Sequence, residues 1–307
     1  MLDITILTEP GPRHVRPAEG ELAALVHRIG GDGDHFLVVQ AIPDLPDLFI
    51  QVWHRTGEDY TLEHRADSPD RHFQTSVGSP EAVVSAITAW AGGRRDGWDS
   101  GLVWEQLEFP KAKPVPPIEI ADEQRRQLED RVREVLVGGY ATRAELAELA
   151  EDHLVSGRRR RPVSRAQAEA LADRMWRERV EEQAGWEGET DPERLSRAFA
   201  ELDAAGITAR EHFTCCRTCG NGEIGAAGSP DARGFVYFHT QCTDAAAAGH
   251  GLTLLYGGFD GSPETTAAVG REVVAALTRA GLPTSWDGDP GRAVTVTPLA
   301  WKRRLIG

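Results

Sequence analysis

Lysine is almost missing from this chain: only three of its 34 basic residues are Lys, and Asn221 is its sole asparagine. That bias is what a GC-rich genome produces, so the abundance of arginine carries no information about phosphate binding. An excess of positive charge is missing too. With 48 acidic residues the formal net charge is −14, which opposes general affinity for nucleic acid. No run approaches the ~18 apolar residues of a membrane span. The first twenty residues hold Asp3, Glu9 and Pro10 where a secretory signal needs a basic start and an apolar core. A soluble cytoplasmic protein is expected. There is no P-loop, no G-x-G-x-x-G, no G-x-S-x-G and no H-E-x-x-H. Cysteine is scarce and local: Cys215, Cys216, Cys219 and Cys242 lie close together, whereas a disulfide framework would spread over the chain.

What is present suggests two or three domains of α+β class, since 307 residues with 40% apolar content can bury more than one core. Residues 1–110 carry 8 Arg and 18 Asp or Glu, a net of −10, against −4 for the remainder. Pro110-Lys-Ala-Lys-Pro-Val-Pro-Pro117 lacks periodicity, so a linker is expected at 111–118. Before it, helical spacing covers Pro17 to Gly30, with Leu22, Leu25, Val26 and Ile29 on one face. Strands follow at His35–Gln40, Leu48–His54, Tyr60–Arg65 and Arg71–Val77; then come a helix opened by Ser79-Pro80 and a strand at Val103–Phe109. A meander sheet under two helices results.

After the linker, 119–206 reads as helical. Ala121–Val137 is amphipathic, Thr142 with Glu145 and Ser164 with Gln167 are capping boxes, and Asp191-Pro192 opens a further helix. Residues 207–307 revert to an α+β pattern, with a helix from Ser262 to Ala280 and the cysteines in loops.

Three readings of those cysteines stand side by side. Cys216-Arg-Thr-Cys219 followed by His239-Thr-Gln-Cys242 has the spacing of a four-ligand zinc site, with Cys215 spare. A reactive Cys216/Cys219 dithiol would need a helix start, which Gly220 and Gly222 weaken. Finally, the cysteines are small apolar core residues and His239 a satisfied strand-end histidine. With four ligands the metal is structural. With three, its water attacks a substrate and Asp260 or Glu211 serves as base in a zinc hydrolase.

The string from Ala198 to Gly220, with Arg233–His239, Leu254–Asp260 and Trp286–Pro290, resembles the bacterial domain-of-unknown-function family 6891 over about 120–305. The resemblance implies no activity. It matches Cys215, Cys216, Cys219 and His239, while the Cys242 position is more often acidic in the family. The strings Phe49–Trp53, Leu62–His64 and Ser68–Phe73 more weakly resemble immunity proteins of bacterial toxin systems. Such a likeness implies an acidic surface for a basic protein partner. The expected function is a non-catalytic interaction protein with a zinc-supported C-terminal module. Arg158–Arg161 reads as a solvated basic loop. Glu63, His64 and His72 are weighed as a cluster, but alternation sends Glu63 and His64 to opposite faces.

Overall fold

The computed structural model describes residues 1–11, 13–93, 98, 101–110, 113–155 and 161–306. The N-terminal part builds a seven-stranded antiparallel sheet in the order β2-β1-β3-β4-β5-β6-β7. Its strands are β1 Ile4–Thr8, β2 His14–Val15, β3 Phe36–Leu45, β4 Leu48–Trp53, β5 Tyr60–Ala66, β6 His72–Val77 and β7 Glu105–Leu107. Helices α1 (Glu19–Arg28) and α2 (Pro80–Gly93) lie on one face. Leu22, Val26, Val83 and Ile87 meet Leu37, Val39, Ile50, Val52 and Leu62 there in one apolar core. The alternate residues of the same strands point away from that core. The meander expected from the sequence is present; β1 is an addition made by pairing with the distant β3, which itself runs on to Leu45, paired with Leu48 across a tight turn.

From residue 122 the chain is helical: α3 (Asp122–Gly138), α4 (Arg143–Asp152), α5 (Arg165–Ala184) and α6 (Asp191–Ala204). Both expected capping boxes form, with Thr142 Oγ1 accepting from Glu145 N and Glu145 accepting from Thr142 N at 2.7 Å. Ser164 and Gln167 do the same at α5. Leu128, Leu146, Leu171 and Trp176 form the middle core. The expected linker is irregular at 113–118 and its Pro116 and Pro117 carbonyls accept from Gln167 Nε2.

The C-terminal part has a second sheet, in the order β11-β12-β10-β9-β8: β8 Ile207–Arg210, β9 Gly234–Tyr237, β10 Leu252–Gly258, β11 Thr284–Ser285 and β12 Val294–Val296. Its helices are α7 (Arg217–Glu223), α8 (Thr240–Ala247) and α9 (Pro263–Arg279). Leu195, Phe199 and Leu202 of α6 join Val269, Val273 and Leu277 of α9 in the third core. The helix at the end of the expected helical segment thus packs with the sheet that follows it. The C-terminal tail stitches the parts together: Trp301 Nε1 donates to Gly138 O, Leu305 enters the middle core, and Asp44 N donates to Ile306 O at 3.0 Å. No helix among the described residues is long and apolar enough to cross a membrane.

Candidate metal centre

In the second sheet only β8 and β9 are parallel neighbours, with Arg210 opposite Tyr237, so their C-terminal ends share one edge. The carboxyl ends of parallel strands are where loops converge to build sites. The segment after β8 is tied down residue by residue. Glu211 accepts from Tyr140 Oη (2.7 Å) and from an Arg303 guanidinium nitrogen (3.0 Å). The His212 ring stacks on Tyr140 with centroids 4.4 Å apart, and its Nδ1 lies 2.8 Å from Thr243 Oγ1. Phe213 N donates to Phe238 O, and the Thr214 carbonyl accepts from both N and Oγ1 of Thr240. These bonds hold His212 at φ 48° and Thr214 at φ 60°. Side-chain-bearing residues enter that left-handed region only at a cost of about 1–3 kcal/mol each. The resulting sharp turn delivers Cys215 and Cys216 to the start of α7.

Cys216 is the N-cap of α7 and Cys219 lies one turn into it. Cys215 and Cys216 precede the helix, on backbone still extended at Cys216, and the turn before them brings both sulfurs to Cys219. The three sulfurs lie within 4.8 Å of one another, and Cys215 Sγ is 3.6 Å from Cys219 Sγ. The Cys219 backbone N–H donates to Cys216 and, with the neighbouring thiols, lowers the Cys216 pKa. Cys219 is pushed up to about 11 by its hydrogen bonds to Cys215 and Cys216 and by their negative charge. The opposite shifts of Cys216 and Cys219 are what mutual hydrogen bonding and like charge between crowded sulfurs produce.

Cys215 and Cys216 lie in the expected loop, but Gly220 and Gly222 do not prevent a helix at Cys219. Gly220 is required by packing: a Cβ at that position would fall 2.7 Å from Tyr237 Cζ and 2.8 Å from its hydroxyl oxygen. Tyr237 is fully buried, and its hydroxyl donates to Asn221 Oδ1 at 2.6 Å with the Arg217 carbonyl 3.2 Å away. The tyrosine thereby fastens α7 to β9.

Of the four ligands expected from spacing, Cys216 and Cys219 are together, and the third sulfur beside them belongs to Cys215, not to Cys242. His239 caps α8 and makes a separate pair with Cys242, whose Sγ is 3.5 Å from His239 Nε2. Cys242 is 7% exposed within the third apolar core, where burial raises its pKa and disfavours the thiolate. Burial, followed by the charge of Arg217, lowers the pKa of His239. The position of Cys215 four residues before Cys219 was the available sequence signal for its membership.

The donor set fits a thiophilic ion. A tetrahedral ion with metal–sulfur bonds of about 2.3 Å spaces its ligands about 3.8 Å apart, close to the 3.6 Å between Cys215 and Cys219. Soft thiolates select zinc or cuprous copper over magnesium or calcium.

The other weighed groups have structural partners. Glu63 accepts from Gln51 Nε2 (2.7 Å) and pairs with His72 Nε2 (3.0 Å), while Arg65 links His72 to Asp47 on the same outer sheet face. His64 turns to the opposite face, as alternation requires, among Phe73, Trp98 and Trp104. Asp260 accepts from Ser262 N and Thr265 Oγ1 at the start of α9, whose N-cap is Ser262. Arg161 pairs with Glu151 and Asp152, and the rest of the basic run, 158–160, lies outside the described residues.

Comparison with known families matches residues 121–305 to the domain of unknown function DUF6891, and the chain belongs to that family. The immunity-protein likeness of the N-terminal part is not confirmed by this match. No curated protein and no solved structure matches the chain.

Proposed function

We propose that this is a metal-binding interaction protein. Its C-terminal module holds one zinc ion on Cys215, Cys216 and Cys219, and its acidic N-terminal part meets a basic protein partner. The observation that supports this reading is the convergence of three sulfurs within 4.8 Å at the edge of a rigid sheet. In this reading His239, two residues beyond β9 and outside the group of three thiols, completes the tetrahedron by turning to them from Cys242, which is committed to the core. In this reading the ion braces α7 against β8 and does no turnover.

The hydrolase alternative needs a base beside the thiols. Its two candidates are otherwise engaged, Glu211 by Tyr140 and Arg303 and Asp260 by the cap of α9. Neither belongs to the ligand group. For the partner, the support is the net −10 of residues 1–110 together with Phe36 and Trp53, which stand exposed on the outer sheet face.

Elemental analysis of protein purified without chelator tests the reading. About one zinc per chain is expected, with Cys215→Ser, Cys216→Ser and Cys219→Ser each lowering occupancy and Cys242→Ser leaving it. Metal-free protein after aerobic and reducing purification alike, or metal retained in all three variants, would refute it.

A further inference from the structure

A cavity of about 500 Å³ lies between the outer face of the first sheet and the helices α4 and α5. That volume falls within the range of small-molecule sites. Leu7, Gln40 and Asp44 come from the sheet; Ala144, Ala147 and the α5 face of Arg165, Glu169 and Asp173 close the other side. Most charges around it are already matched. Arg143 donates from Nε to Asp44 Oδ2 and from a terminal nitrogen to Asp173 Oδ1, both at 2.7 Å, and Arg165 donates to Glu169 at 2.8 Å.

Two groups are left over, and they are of opposite kind. Asp44 is 4% exposed, yet its Oδ1 has no hydrogen-bond partner among the described residues. A terminal nitrogen of Arg13 is likewise buried and unpartnered, near enough to Asp44 for their charges to interact. A buried acceptor and a buried donor without partners are each costly, and native structures rarely leave them so. We propose that the cavity binds a small zwitterion of the α-amino acid class, its carboxylate on Arg13 and its ammonium on Asp44 Oδ1.

Charge balance selects this class. Three arginines face three carboxylates in the lining, so an inorganic anion would meet Asp44, Glu169 and Asp173, and a metal cation would meet the guanidiniums. A ligand with both signs side by side satisfies both orphans at once when Asp44 and Arg13, which line the cavity, turn these buried atoms towards it. Leu7, Ala144 and Ala147 leave apolar room for a short side chain. The site uses no residue of the thiol cluster and is independent of metal.

The test uses the full chain in thermal-shift and calorimetric titrations with L-alanine, L-serine, L-threonine and L-valine, beside ethylamine and propionate as half-ligands. At least one amino acid should raise the melting temperature and bind saturably, and neither half-ligand should match it. Arg13→Gln should weaken that affinity tenfold or more. Asp44→Asn keeps a hydrogen-bond acceptor for Arg143 while losing the charge for the ammonium, and should weaken it similarly; if that variant does not fold, Arg13→Gln still decides. Failure of all four amino acids to bind, binding untouched by Arg13→Gln, or equal binding of propionate alone would overturn the proposal.

Discussion

Gly220→Ala tests whether the tyrosine clamp positions the thiols. The added Cβ would meet Tyr237 Cζ at 2.7 Å, against an optimal carbon–carbon separation of about 3.5–4.0 Å. Something must therefore move by about 1 Å. Tyr237 has no room to yield, because it is fully buried between Phe213 and Phe235, with centroids 5.9 and 6.0 Å away, and is held at its hydroxyl by Asn221. Helix α7, which has only seven residues and one buried position, is the softer partner. Overpacking of this kind costs about 1–3 kcal/mol, even though alanine is the better helix former by up to ~1 kcal/mol. A shift of α7 carries Cys219 away from the turn that holds Cys215. Urea denaturation should show a loss of about 1–3 kcal/mol at unchanged slope, and chelator competition should show weaker zinc binding. Wild-type stability together with wild-type metal affinity would refute the clamp. Lost stability with intact affinity would show that α7 is not what sets the thiol geometry.

Two further outcomes follow from buried charge. Burial among aromatic rings, with the charges of His72 and Arg71 adding to it, lowers the pKa of His64 to about 4. The fold therefore favours the neutral ring: the stability it contributes is complete above the unfolded value near 6.5 and drains as pH falls towards 4. The full difference is worth about 3 kcal/mol at ~1.4 kcal/mol per unit. Denaturation curves between pH 7 and 4 should show that slope, and His64→Phe should remove it; an unchanged slope in the variant would refute the assignment. Arg143→Ala strips the nearly buried Asp44 of its guanidinium partner and should destabilise by about 3–5 kcal/mol, as breaking a buried pair does. A loss below about 1 kcal/mol, the range of exposed pairs, would mean that the seam between sheet and helices is wet.

How much was legible depended on how local the physics is. Thr142 with Glu145 and Ser164 with Gln167 satisfy helix N-termini within four residues, so their capping boxes could be read directly and both form. Strands β4 to β6 run as a meander between short turns, and their alternation correctly sent Glu63 and His64 to opposite faces. The −14 charge is likewise a property of the chain alone, and the family could be recognised from strings within it.

The thiol site was only half legible. Composition and spacing nominated Cys216 and Cys219, but whether Cys215 or Cys242 stands beside them is a matter of where two strands end. The parallel pairing of β8 with β9 sets that edge, and α8 turns Cys242 into the core. Gly220 stands inside α7 because Tyr237, seventeen residues beyond it, needs the space a side chain would take. The cavity at Asp44 was invisible in the sequence, since its walls come from segments about a hundred residues apart. Local backbone chemistry is written in neighbouring residues. Burial, orphaned polar atoms and ligand convergence arise only when distant segments pack, because only then is water excluded from particular atoms.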